Sequence, residues 1–423
     1  MKKQLFYILI LFSGSTLFAQ EKLSLENYRQ RVQDYSQVLK KAKEQTLVAA
    51  AGKKIAYKGY LPKLDFNANA TLDLKEPTAW DGAEGEYRNH TYTGQLTLSQ
   101  PLYAGGALKA QNKIAQADLE LSQLSEELTL DQINYQADAA YWNASASLAL
   151  HASAVRFREI VKQQYDIISD RFDDGLISRT DLLMISTRLK EADLQQLIAH
   201  KNYTLAMQAL HILMGIEPNA PMEQLTGIDS QETKPIPYTL ENVLDRRSDY
   251  VSTQINISRQ ESVRKAAISR FNPQLGLSVN GSWGSTAPNI GYDPKFAAMA
   301  GLNLSVPVFY WGERKQTNLQ NKTLINIRKL EQIQTIDNII QEVSGAWTKI
   351  TESEKQVTLA NENMQLAQEN LDLATFSYNE GKATMVDVLS AQLSWTSAQS
   401  NLISANLSYK LALAEYRKAA SIP

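Results

Sequence analysis

Two hydrophobic periods, one of two residues and one of seven, alternate along this chain and predict its order of elements. Leu23 to Tyr57 is rich in Lys, Glu, Gln and Ala and reads as helix, broken at Leu61-Pro62. From Leu64 the period drops to two. Leu64, Phe66, Ala68, Ala70, Leu72 and Leu74 alternate with Asp65, Asn67, Asn69, Thr71 and Asp73, which predicts a strand over about 63–74. That is the length a tilted membrane-spanning strand needs. Lys75 to Thr91 is polar and reads as a loop. A second strand over about 91–102 alternates Tyr92, Gly94, Leu96 and Leu98 with Thr93, Gln95, Thr97 and Ser99, ending at Pro101 and Gly105-Gly106.

The period then lengthens to seven. Ile114, Leu121, Leu128, Tyr135 and Trp142 predict a helix from about Ala107 to Arg171, roughly 95 Å at 1.5 Å per residue. Its middle, Gln136 to Ala154, is Ala-rich and lets neighbouring helices approach closely. At Phe172-Asp173-Asp174-Gly175-Leu176-Ile177-Ser178-Arg179-Thr180-Asp181 the pattern stops and restarts. Gly175 suits the left-handed position after a helix, and Ser178 with Asp181 reads as a capping box. A tight hairpin over about 171–181 follows, then a return helix to Met214 and a Pro-rich linker over 215–238.

The whole series then recurs. Leu240-Glu241-Asn242 answers Leu25-Glu26-Asn27, and strands are expected over about 274–285 and 296–308. Ile336, Val343, Ile350, Val357, Met364, Leu371 and Tyr378 form a second seven-residue seam. Tyr378-Asn379-Glu380-Gly381-Lys382-Ala383-Thr384-Met385-Val386-Asp387 repeats the first hairpin 206 positions on, over about 377–387. The chain is thus expected to hold two repeats, 21–214 and 239–423.

Composition narrows the function. The 423 residues carry 43 basic and 45 acidic side chains, a net charge of −2, so no basic field attracts nucleic acid. Mean hydropathy is −0.33, too low for a bundle of membrane helices. Residues 1–20, with Lys2 and Lys3 before an apolar run from Leu5 to Phe12, read as a secretory signal peptide. Cysteine is absent, which removes thiol chemistry and anchoring as a lipoprotein through an N-terminal Cys. His90, His151, His200 and His211 are scattered without ligand spacing. No nucleophile or phosphate-binding motif appears, so the expectation is no enzyme and no cofactor.

Four amphipathic strands cannot close a barrel, so a membrane barrel would have to be pooled from several chains. Their polar face, Asp, Asn, Thr, Gln and Ser, suits a water-filled lumen. Tyr92, Tyr103, Trp283, Phe309, Tyr310 and Trp311 fall at strand ends, where interfacial aromatics would sit. A soluble sandwich sheet with one polar face would share the alternation. A pore-less periplasmic coiled-coil scaffold would share the heptads.

The repeated Pro-strand-loop-strand-Pro unit and the two Gly-containing hairpins, above all Tyr378-x-x-Gly381-x-x-Thr384-x-x-Asp387-Val388-Leu389, resemble the TolC family of outer-membrane efflux and secretion channels. The resemblance covers nearly the whole chain. It implies an α+β membrane protein, a homotrimer whose twelve-strand β-barrel joins a long α-helical periplasmic tunnel. It also implies a tip that docks a periplasmic adaptor and, through it, an inner-membrane pump, of RND type in the efflux case. Protein export by a type I secretion system would use the same kind of duct. By resemblance, Tyr378 would hydrogen-bond towards Asp181 and Thr180 and hold the tip closed, and Asp387 would face the lumen at the constriction. Gly175-Leu176 and Gly381-Lys382 would meet the adaptor. Ala383 and Ser390 depart from the family pattern, standing where an arginine latch and a second lumen aspartate are expected. Capping alone would also explain Asp181 and Asp387.

Overall fold

The computed structural model describes residues 23–72, 74, 90–221, 224–230, 232–285 and 294–422. The expected signal peptide and most of residues 75–91 and 285–295, which join the paired strands, lie outside the described residues. The elements run α1 (Leu25–Tyr35), α2 (Gln37–Lys58), β1 (Lys63–Leu72), β2 (His90–Ala104), α3 (Ala107–Asp173) and α4 (Arg179–Met214). Then come α5 (Leu240–Leu244), α6 (Ser248–Ser269), β3 (Gln274–Ser285), β4 (Lys295–Ser305), α7 (Glu313–Asn379) and α8 (Met385–Ala419). Two compact units result. One gathers Met1–Ser36, Gln132–Pro237 and Ser344–Pro423, the other Gln37–Asp131 and Tyr238–Val343.

Three boundaries differ from the sequence expectation, each for a local reason. The first helix is two helices, because Ser36 leaves the helical region at φ −50°, ψ 113° while its N–H still donates to the Val32 carbonyl at 2.9 Å. β2 continues through Pro101, where a register shift between Pro101 and Tyr103 accommodates the missing N–H. β4 ends at Ser305 instead of running to 308, since Pro307 cannot donate to the ladder.

In the unit of Gln37–Asp131 and Tyr238–Val343, the strands form one antiparallel sheet in the order β1-β2-β3-β4. The register keeps the alternation in phase across all four: Phe66 faces Leu96, Leu96 faces Gly281, and Gly281 faces Ala298. One apolar and one polar face therefore extend over the whole sheet. The glycines on the apolar face are covered by rings, with Phe66 over Gly94 and Phe296 over Gly281. Every described residue of β1 and of β4 is exposed, and each has only one strand neighbour among the described residues. Where β2 turns into α3, Gly105 adopts φ +62° and its carbonyl accepts from Asn272 Nδ2 at 2.8 Å. Arg259 on α6 pairs with Asp118 on α3 at 2.6 Å, and Ser248 Oγ donates to Glu127 at 2.7 Å.

The other unit is helical apart from its linker, which is pinned by polar contacts. Tyr141 Oη, fully buried, donates to the Leu23 carbonyl at 2.6 Å and accepts from the Thr226 N–H at 2.9 Å. Leu23 bridges Leu225 in parallel, and Arg29 grips Asp138 with two bonds of 2.6 Å. Lys410 of α8, buried, donates to the Ser230 carbonyl at 2.5 Å and to Glu232 at 3.2 Å, with its ammonium 4.4 Å from the Trp142 ring centre. The linker is thereby held on the helices by hydrogen bonds and an ion pair.

Candidate functional site

The two hairpins, α3–α4 and α7–α8, lie in this helical unit and are built by the same local chemistry. Gly175 (φ +74°) and Gly381 (φ +73°) occupy the left-handed position that closes each long helix. Leu176 N–H donates back to the Arg171 carbonyl and Lys382 N–H to that of Ser377, both at 2.8 Å. Two residues further on, a hydroxyl opens the next helix. Thr384 and Asp387 form the full reciprocal box: Thr384 Oγ1 accepts from Asp387 N–H at 3.3 Å, and Asp387 Oδ2 accepts from Thr384 N–H at 2.8 Å. Ser178 and Asp181 form half of one. Ser178 Oγ accepts from Asp181 N–H at 3.1 Å, while the Ser178 hydroxyl donates to Asp181 Oδ2 at 3.0 Å.

Above the turns the two hairpins share one apolar core. Phe157, Val161 and Ile168 from α3, Ile185, Leu189 and Ala192 from α4, and Leu371, Met385, Val388 and Trp395 from α7 and α8 are all buried in it. Sealed within that core is a polar chain. Gln392 of α8, 0% exposed, donates to Gln164 Oε1 of α3 at 2.5 Å and accepts from Arg188 Nε of α4 at 3.4 Å. Arg188 also bonds Glu191 at 3.0 Å and lies 5.0 Å from the Phe157 ring centre, yet its Nη2 is buried without a partner among the described residues. One glutamine thus joins the second hairpin to both helices of the first. In sequence these three look like ordinary polar positions, and only the packing identifies them.

The expected bond from Tyr378 to Asp181 and Thr180 is not made within the chain. The Tyr378 hydroxyl is buried with no hydrogen-bond partner among the described residues, while one oxygen of the Asp181 carboxylate accepts from the Ser178 hydroxyl. Burial first, and then the nearby negative charge of Asp181, push the phenol above its ordinary pKa, with Arg171 opposing. Asp387 is exposed at the start of α8, and its carboxyl is held below the usual range by the Thr384 hydroxyl and N–H. Gly175, Leu176, Gly381 and Lys382 are all exposed at the turns, Leu176 by 72%. Ala383 is half-buried and Ser390 exposed.

The expected interface aromatics are in the sheet unit, at both ends of the strands. Tyr92 and Trp283 meet at one end with ring centres 5.9 Å apart. Tyr103 is at the other, followed by Phe309, Tyr310 and Trp311 ahead of α7. Phe309 and Trp311 are 4.9 Å apart, and Trp311, 91% exposed, sits at φ +46°. No helix among the described residues is long and apolar enough to cross a membrane, and no group of three or more His, Cys, Asp or Glu is placed to hold a metal. His211 is buried with Nδ1 3.2 Å from the Pro218 carbonyl, whereas His151 and His200 meet across α3 and α4.

Comparison with known proteins places these features. The family model described as outer membrane efflux protein matches residues 29–216 and 239–420. TolC of Escherichia coli is 22% identical over 94% of this chain and 82% of its own length. The alkaline protease secretion protein AprF of Pseudomonas aeruginosa is 23% identical over 84% of this chain and 76% of its own. The CmeC outer membrane channel of Campylobacter jejuni superposes with a TM-score of 0.81 at 20% identity, covering 94% of this chain and 85% of that one.

Proposed function

From its membership of the outer membrane efflux protein family, to which this chain belongs, we propose that it is the outer-membrane exit duct of a tripartite efflux system. Three copies close a twelve-strand barrel in the outer membrane, and their helical hairpins line a periplasmic tunnel. Small molecules delivered by an inner-membrane pump, of RND type, through a periplasmic adaptor pass out without further energy input. The chain performs no catalysis and needs no cofactor in this role. The two consecutive series of elements are read as internal repeats, each giving the barrel one strand pair and the tunnel one hairpin.

The observation that carries the proposal is the open sheet. Its apolar face spans all four strands, and β1 and β4 leave both edges exposed. In lipid such edges are satisfied only by closure against another strand. At the tips, exposed Leu176 and Lys382 meet the adaptor, while Tyr378, Thr180, Asp181 and Asp387 regulate opening. Because the Tyr378 hydroxyl has no partner among the described residues, its closing contact is read as coming from assembly.

The absence of cysteine makes a direct test possible. Asn67→Cys on β1 is paired with Ala297→Cys, Met299→Cys, Gly301→Cys or Asn303→Cys on β4, one at a time. At least one pair gives disulfide-linked trimers on non-reducing gels of outer membranes. Monomers for every pair would refute closure by edge pairing. A second reading, the channel of a type I protein secretion system, draws on the similarity to a relative named as a secretion protein, and the similarity to TolC is shared by both readings. Deletion separates the two: loss of small-solute efflux supports the first, retention of one exported protein the second. Recovery of the protein in the soluble periplasmic fraction would support the pore-less scaffold.

A further inference from the structure

The packing of α3 on α4 joins two of the chain's four histidines that are 49 positions apart in sequence. The rings of His151 (α3) and His200 (α4) have centres 5.1 Å apart and are tilted by 50°. Tyr203, one turn beyond His200, stacks on His151 at 5.9 Å with the planes within 8°. His200 is exposed and His151 half-buried, so the pair opens to solvent on one side. Neither imidazole makes a hydrogen bond to any described residue; the nearby Thr204 hydroxyl bonds the His200 backbone carbonyl and not its ring. His211, by contrast, is spent on a carbonyl.

We propose that His151 and His200 form a two-imidazole site for a borderline divalent transition-metal ion of the Cu²⁺, Ni²⁺ or Zn²⁺ class, bridging α3 and α4. The separation fits such an ion. With metal–nitrogen bonds of about 2.0–2.1 Å, two imidazoles at a tetrahedral angle have ring centres about 5 Å apart. Imidazole suits these metals, and the chain has no thiolate to divert them. Stacking on Tyr203 fixes one ligand before the ion arrives, which lowers the cost of ordering the site. Because no third protein ligand is gathered among the described residues, water completes the coordination and the ion exchanges readily. A bound ion ties the two helices of the first hairpin together about 33 Å along α3 from its turn, at 1.5 Å per residue.

The test is Cu²⁺ titration of the full-length protein in detergent, followed by calorimetry and electron paramagnetic resonance. One Cu²⁺ per chain with hyperfine structure from two nitrogens is expected. His151→Ala and His200→Ala each weaken binding by about tenfold or more and reduce the signal to one nitrogen. Circular dichroism and trimer content confirm that each variant is folded, with His151→Asn replacing an alanine variant that fails to assemble. Binding unchanged in both variants, or sensitive to only one of the two, would overturn the bridge. So would the absence of any binding beyond that of the doubly substituted chain.

Discussion

Replacing Gln392 with leucine removes the side chain that hydrogen-bonds α8 to both α3 and α4. The volume is roughly kept, so the cost is that of the polar groups left behind. Gln164 loses its donor, and Arg188, whose Nη2 already has no partner, loses the acceptor of its Nε as well. Each orphaned buried group costs about 1–3 kcal/mol, and the added apolar surface of leucine returns part of that. The net expectation is a loss of about 2–4 kcal/mol. At about 2–4 °C per kcal/mol for a unit of this size, the melting temperature falls by roughly 5–15 °C. The assay is helical circular dichroism of the detergent-solubilised protein at one fixed scan rate, because such assemblies unfold irreversibly. The triple variant Gln164→Leu, Arg188→Leu, Gln392→Leu leaves no member orphaned and recovers most of the loss. A single variant within about 0.5 kcal/mol of wild type, the level of a surface substitution, would refute the reasoning. A triple variant less stable than the single would do so too.

Other positions give sharp expectations. Thr384→Ala removes the cap of α8 and costs about 1 kcal/mol. The depressed Asp387 carboxyl contributes stability above the ordinary carboxylate pKa that is lost as pH falls through its lowered folded value, and denaturation profiles of Thr384→Ala will show a smaller loss on the acid side. Lys410 is held below its usual pKa, first by burial with Glu232 opposing, so the unfolded chain keeps its proton to higher pH than the native one. Its contribution to stability therefore grows as pH rises towards the ordinary lysine value, and the difference between wild type and Lys410→Met over that window measures it. Gly105→Ala forces a left-handed backbone and drives its Cβ into the Ser269 carbonyl. A loss of more than about 2 kcal/mol is expected, seen as depleted outer-membrane protein in pulse-chase; wild-type levels would show that the corner relaxes.

Strand identity was legible because one face of the sheet is apolar from edge to edge, so a period of two survives in Leu64 to Leu72 and in Leu275 to Trp283. The hairpins were legible for a different reason. Gly175, Gly381 and their following hydroxyls are local chemistry, and local chemistry is written in consecutive residues. Strand ends were less so, since Pro101 could end β2 or sit in a bulge, and only the register with β3 decides. The break at Ser36 was hidden because the residues on either side favour helix equally. Least legible were contacts that depend on which helix packs on which. Gln164, Arg188 and Gln392 carry no sequence signal of their own, and His151 and His200 read as isolated histidines. Tyr378 falls in the last turn of α7, and the partner of its hydroxyl depends on packing that no local pattern records.

The most direct test of the whole account is single-channel recording of the purified protein in planar bilayers, with Tyr378→Phe plus Asp181→Ala alongside. Discrete pores from the wild-type trimer, larger or longer-lived in the variant, are the result expected of an exit duct gated at its hairpin tips. Equal pores in both would leave the duct intact and reduce those residues to packing and capping. A folded, membrane-inserted trimer that passes no current would contradict the central claim.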